Sequence, residues 1–579
     1  MATKTVRLLV DYTFSGVQYR ADDLVIIDSS LATALETGGI VDTALEAIKA
    51  AMGKGKVVNY PNIDSAQLST SIDGYSSDAS RVYIDKFGDS MAGKENQTQV
   101  LDNTYTATVE NNIITITQPN TNWLYHPGTM FYLMNTPDDN YVALYTVIEG
   151  TTSLVIKARC AWNIPNGSVD FSNISLGGSS NSPALCRLFR PTHASILSHA
   201  CAYSNGSLVR GYSIGFYGRN SGYITQDKID KFLGWIPNKK NRILVYIMGI
   251  NDIFRYGLND TDTLNSNIAN LQLLKTLGYK KIVVCTIGPV NHTTHTGYTS
   301  ARRNYELSHN SQLKLWIDQN PEFLLHDQFA LIRDPASIYA DNAANTLEDH
   351  VHLNGYGAEI SGKGLWNNVL SKIGLPNFSL SPQSVADGHT NISAQLFNGI
   401  FNLDITTGAI ANAGLLSGGA TGIVKSGFTL TKNSATSVVG SMPANADGNG
   451  YDQQIVFSTS AADQGFTFAS TAATTGRINA GDTLRIFQKI KLEGCTNLKS
   501  LSINFTVTYG GIIVNLSPVY PSTLKIDSSD RTVTYEFGHI GYIAPGDCDY
   551  SYSISCTTDA AGGGTITIGA PSGLAQNNN

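Results

Sequence analysis

The chain has 579 residues, 42% of them hydrophobic and 15% charged, with a formal net charge of -7. That length exceeds one hydrophobic core and calls for about two to four domains. The composition excludes a disordered chain, and the acidic balance argues against a nucleic-acid partner.

Residues 1–55 read as a small N-terminal unit, with strands at 6–10 and 24–27 and short helices at 31–36 and 43–52, capped by Ser30 and Asp42. Lys4 and Arg7 are followed by no apolar run, so no export signal is expected. No stretch approaches the roughly 20 apolar residues of a membrane span, so no membrane insertion is expected either. Residues 56–80, rich in Ser, Asp and Asn, read as a linker. A strand at 81–87 then runs into Gly88-Asp89-Ser90. Residues 96–185 read as a β-rich insertion, because 104–110 and 113–118 flank an Asn111-Asn112 turn and further strand-like runs follow at 141–148 and 153–158. From about Pro191 apolar strands (207–217, 242–248, 281–287, 323–325) alternate with amphipathic helices. One helix is marked by Leu264, Ile268, Leu271, Leu274 and Leu277, and another spans 302–319. This alternation predicts a parallel sheet covered on both faces. Beyond about Pro376 helical periodicity ceases, and short strands between Gly, Ser and Asn turns, including 502–509, 531–537 and 564–569, predict a β-sandwich over 376–579. Its tyrosines Tyr509, Tyr520, Tyr535, Tyr542, Tyr550 and Tyr552 read as sheet packing more readily than as sugar-stacking platforms. The seven dispersed cysteines (Cys160, Cys186, Cys201, Cys285, Cys495, Cys548, Cys556) make neither a disulfide framework nor a zinc pair and read as buried thiols.

Four short blocks carry chemistry. Gly88-Asp89-Ser90 sets a serine at the carboxyl end of a parallel strand, where open α/β sheets bind ligands; by itself the tripeptide is also an ordinary turn. Asn220-Ser221-Gly222 lies just past a strand, and Gly249-Ile250-Asn251-Asp252 directly follows another. Asp349-His350-Val351-His352 is an Asp-x-x-His that reads alternatively as part of a metal site, for which no further ligands stand nearby in the sequence.

Together, in this order, the blocks resemble the SGNH (GDSL-like) hydrolase family over about 81–95 and 186–375. The resemblance implies a three-layer α/β/α, flavodoxin-like domain over 81–375 and a serine esterase without metal or cofactor. Ser90 would be the nucleophile and His352 the base, with Asp349 orienting the imidazole; His350 is the competing neighbour. The oxyanion hole would comprise the backbone N–H groups of Ser90 and Gly222 and the side-chain amide of Asn251. Asp89 and Asp252 read as loop-bonding structural carboxylates. Two departures stand out: Met91 replaces the usual Leu, and the insertion separates Ser90 from Gly222 much further than in compact members, which leaves the shape of the site open.

The flanking regions add a second resemblance. The N-terminal unit, with Tyr19-Arg20-Ala21-Asp22-Asp23, is similar to virion-attachment modules of bacteriophage structural proteins, and the C-terminal sandwich is similar to the jelly-roll-like carbohydrate-binding or trimerisation domains of tailspikes. This implies a trimeric phage tail fibre or tailspike, assembled in the host cytoplasm beside tail or baseplate proteins. It would act at the bacterial surface by removing O-acetyl groups from capsule or O-antigen. A bacterial carbohydrate esterase with an accessory binding domain, and a non-catalytic receptor-binding adhesin, remain open alternatives on sequence grounds.

Overall fold

A computed structural model of the chain describes residues 82–93, 96–117, 130–149, 155–191, 195–290, 299–336, 351–375, 414–425, 427–444, 451–470, 482–509, 512–515, 527–543, 549–569 and 572–577, with short backbone strands before residue 43. In the N-terminal unit Thr3–Leu8 pairs antiparallel with Leu24–Asp28 and with Val41–Asp42. The helices expected at 31–36 and 43–52, and the linker, lie outside the described residues.

The central element is a five-stranded sheet of β1 (Val82–Asp89), β2 (Leu208–Phe216), β3 (Arg242–Ile247), β4 (Lys281–Cys285) and β5 (Phe323–His326). Its order is 2-1-3-4-5, with every pairing parallel. β1 and β3 are buried at every position, as the near-continuous apolar runs require of a sheet covered on both faces. Helices α1 (Ile196–Tyr203) and α4 (Gly355–Gly364) flank a core of Val82, Ile84, Ile243 and Val283 on one face. Helices α2 (Asp260–Lys275) and α3 (Ser300–Asp318) cover Leu244, Ile282 and Val284 on the other. The expected three-layer arrangement is thus present. Inside it the Arg242 guanidinium bonds the Asp85 carboxylate at 2.9 Å, both side chains being fully buried, and so ties β3 to β1.

The insertion is an eight-stranded antiparallel sheet. Its hairpin Thr106–Glu110/Ile113–Thr117 turns at Asn111 and Asn112, both in the left-handed region at φ 50° and 63°, the conformation a two-residue hairpin turn demands. One edge of its path joins Asn96–Val100 to Ala184–Pro191, so the insertion runs to Pro191 rather than ending at 185. One face of this sheet, including Tyr132 and Leu144, packs into the α2/α3 side of the central domain; the other, including Phe131 and Ile116, closes its own core.

The C-terminal region is mostly strand, as expected, but its two leaves are hydrogen-bonded into one sheet. Asp482–Tyr509 and Asp549–Ile568 are long enough to serve both leaves. Their mutual register shifts between Glu493 and Ser500, where Gly494 and Asn497 adopt positive φ, and bulges of this kind let a strand bend from one layer into the next. One apolar core fills the interior. Tyr535 and Tyr552 are buried there, as the packing reading expects; the side chains of Tyr509, Tyr520, Tyr542 and Tyr550 lie outside the described set. Six cysteines are buried, in line with the thiol reading, and Cys548 lies outside the described residues.

Candidate active site

The 2-1-3-4-5 order places a topological switch between β1 and β3, and ligands of open α/β sheets bind at the carboxyl ends of the strands at that point. Ser90 follows β1 there, and Asn251 stands just past β3.

The turn after β1 is fixed from both sides. A methyl added to Gly88 would fall 1.7 Å from the Ile247 carbonyl oxygen, so only glycine lets β1 approach β3 this closely. Asp89 accepts a hydrogen bond from the Met91 N–H at 2.9 Å, and buried Lys86 donates to the Met91 carbonyl at 2.8 Å. Ser90, 6% exposed, is held at the rim, with its Oγ 2.8 Å from His352 Nε2. His352 is set by the helix that follows it, since Asn354 caps α4 by accepting from the Gly357 N–H at 2.9 Å. Asp349 and His350 lie outside the described residues.

Ser90, Asn251 and His352 line one cavity of about 680 Å³. Gly222 does not line it; Gly218, two residues past β2, does, together with Gly177 and Gly178 of the insertion. Of the two glycines beyond β2, Gly218 and not Gly222 faces the cavity. The physical reason is the short 3-10 turn Ser221–Tyr223, which carries Gly222 away from the strand end, where Ser221 is tied down by its N–H and hydroxyl to Asp252. Gly218 sits at φ +70°, and a methyl there would lie 2.0 Å from Arg255 Nη1 and 2.1 Å from Asn181 Nδ2. The Asn251 side-chain amide donates to the Arg219 carbonyl at 3.0 Å, which leaves its second N–H for a ligand in the cavity.

Asp89 and Asp252 behave as the structural carboxylates expected of them. Burial is the largest influence on Asp89; the Met91 N–H opposes it, the nearby Asp252 adds to it, and the carboxyl is pushed up to about 7. Asp252 is also raised by burial, against the hydrogen bonds from Ser221.

Several supporting residues escaped the sequence reading. Asn270 donates to the Ser221 carbonyl at 2.9 Å and to the Tyr246 hydroxyl at 3.0 Å, under the same loop. The insertion braces that loop at three places. The Tyr132 hydroxyl donates to the Gly215 carbonyl at 3.0 Å, Asn181 donates to the Tyr217 carbonyl at 3.3 Å, and Asp139 meets Arg219 at 3.2 Å and the Tyr223 hydroxyl at 3.1 Å. Its 177–181 hairpin also forms a wall of the cavity. Position two past a strand end was the available signal for Gly218. No sequence signal pointed to contacts across the insertion.

No protein-family profile matches the chain, and no curated relative does. Among solved structures it is similar to a lipolytic protein of the G-D-S-L family from Veillonella parvula, at 15% identity and a TM-score of 0.26, over 32% of this chain and 91% of that one. It is likewise similar to the acetyl xylan esterase AlAXEase, at 17% identity and a TM-score of 0.24, over 31% and 92% of the two chains. A carbohydrate esterase family 3 protein from Talaromyces cellulolyticus aligns at 18% identity and a TM-score of 0.22, over 28% and 75%. The neighbours are thus GDSL acylhydrolases and carbohydrate esterases at low coverage. What this site can do rests on its own geometry.

Proposed function

We propose that the chain is a serine esterase that removes O-acetyl groups from bacterial surface polysaccharide, as part of a phage tailspike or tail fibre. The observation that carries the reading is the 2.8 Å contact between Ser90 Oγ and His352 Nε2 at a cavity that Asn251 also lines. A serine hydroxyl is a weak nucleophile until a base within hydrogen-bond reach takes its proton.

In the proposed reaction His352 accepts the Ser90 proton as Oγ bonds to the acetyl carbonyl carbon. The negative oxygen is met by the Ser90 and Gly218 N–H groups and the Asn251 amide, each typically worth about 3 kcal/mol. His352 then returns the proton to the sugar oxygen as the C–O bond breaks. Water, deprotonated by the same imidazole, releases acetate and restores Ser90. Asp349 is proposed to orient His352. The virion role is supported by layout alone: a short N-terminal unit similar to phage modules, and a mostly β C-terminal region.

The test is acetate release from O-acetylated capsule or O-antigen by the wild type and by Ser90→Ala, with polymer length followed in parallel. The expected result is release by the wild type alone, with the polymer intact. Equal release by both proteins would overturn the assignment of Ser90, and binding without release would favour an adhesin.

A further inference from the structure

The cavity beside Ser90 has a charge pattern that ester hydrolysis does not require. Among the described residues lining it there is no carboxylate, while two arginines, Arg255 and Arg302, are present, in a chain whose net charge is -7. Arg302 donates to the Phe254 carbonyl at 2.6 Å. Arg255 is different: among the described residues its guanidinium meets no carboxylate and donates no hydrogen bond, although the side chain is half-buried. Burial lowers its basicity, opposed by the neighbouring Tyr256, yet an arginine stays charged at any pH at which the protein folds. A partly desolvated cation without a counter-ion among the described residues is costly, and a planar guanidinium fork is shaped for a carboxylate.

Its place is equally specific. Arg255 Nη1 would lie 2.0 Å from a methyl on Gly218, so the charge stands next to the glycine that faces the ester in the proposed reaction.

Resting on the esterase reading above, we infer that the substrate is the O-acetyl ester of an acidic glycan, with a sugar carboxylate held by Arg255 beside the reacting acetyl group. The chain's overall negative charge repels an acidic polymer at long range, so the local cation supplies selectivity at the site rather than steering.

The test compares acetate release from O-acetylated polygalacturonate, which is acidic, with release from O-acetylated xylan, which is neutral, and uses 4-nitrophenyl acetate to report the esterase itself. Wild type is expected to favour the acidic polymer in kcat/KM by at least about tenfold. Arg255→Gln is expected to lower the acidic-to-neutral ratio by about the same factor, and Arg255→Lys to retain part of it. Thermal unfolding of each variant separates loss of fold from loss of recognition. No preference for the acidic polymer, a preference that Arg255→Gln leaves intact, or an equal fall on both polymers would overturn the inference; the last outcome would make Arg255 a support of the oxyanion loop. Failure of wild type on 4-nitrophenyl acetate would instead overturn the esterase reading.

Discussion

At the level of single residues, two glycines four positions apart separate the sequence reading from the structure. Gly218 has φ +70° and no room for a methyl, whereas a methyl on Gly222 would meet nothing closer than 3.8 Å. Gly218→Ala is therefore expected to lower kcat by about 10²-fold or more, the usual cost of one displaced oxyanion donor, while Gly222→Ala keeps most of the activity; steady-state rates on a small acetyl ester decide it. Asp89 adds a pH signature. Its carboxyl is raised by burial to about 7 against roughly 4 in an unfolded chain, so the folded state binds the extra proton between those values. Stability from this group is full below about 4 and declines as pH rises through 7. Denaturation midpoints at pH 5 and pH 8 should differ less in Asp89→Asn than in wild type. Ser90, Asn251 and His352 were legible because each stands in a short block next to a strand end or a helix start. That Gly218 rather than Gly222 faces the cavity was not legible, because only backbone geometry distinguishes Tyr217-Gly218-Arg219 from Asn220-Ser221-Gly222.

At the level of elements, the strands and helices of the α/β domain were readable because burial on both faces leaves unbroken apolar runs. Arg242–Ile247 was expected at 242–248, and Asp260–Lys275 carries Leu264, Ile268, Leu271 and Leu274 of the expected period, with Leu277 just beyond its end and Asn259 as its cap. The Asn111-Asn112 hairpin was equally plain. What the sequence could not show was the use of the insertion. Asp139 reaches Arg219, Tyr223 and Lys228, all in the stretch that follows β2, through contacts 80 or more positions apart in the chain. Such pairings leave no local periodicity. Asp139 is itself substantially exposed, so its ion pairs contribute little to stability, about 0–1 kcal/mol. Its effect is expected on catalysis instead: Asp139→Ala should lower kcat on a small ester by roughly tenfold through misplacement of the loop, with little change in the melting temperature. An unchanged kcat would show that Tyr132 and Asn181 suffice to hold it.

In the molecule as a whole, the central domain and the C-terminal sheet are joined by a specific contact. Arg531 meets Glu359 of α4 at 2.6 Å with both side chains nearly buried, Tyr203 of α1 donates to the same carboxylate at 3.2 Å, and His199 packs edge-on to Tyr535. Removing one partner of a buried ion pair costs about 3–5 kcal/mol, so Arg531→Ala should lower the denaturation midpoint by a corresponding amount; a change within error would mean that the remaining contacts, among them Lys363 with Asp527 at 2.6 Å, suffice to hold the two regions. The mostly β character of this region was legible from alternation, but its joined leaves were not, because a strand that bends between layers has the same alternating pattern as two strands. The insertion follows a different rule. Its first and last strands, Asn96–Val100 and Ala184–Pro191, pair with each other, so the chain leaves the α/β domain and returns to it at neighbouring points about 5 Å apart. Everything between them enters and leaves through a single doorway, although Tyr132 and Leu144 also pack it against the central core. Since that same segment supplies one wall of the cavity, the fold separates a cassette that shapes what enters from a fixed Ser90–His352 pair, and changes of sequence within the cassette can reshape the cavity while leaving those two side chains where they are.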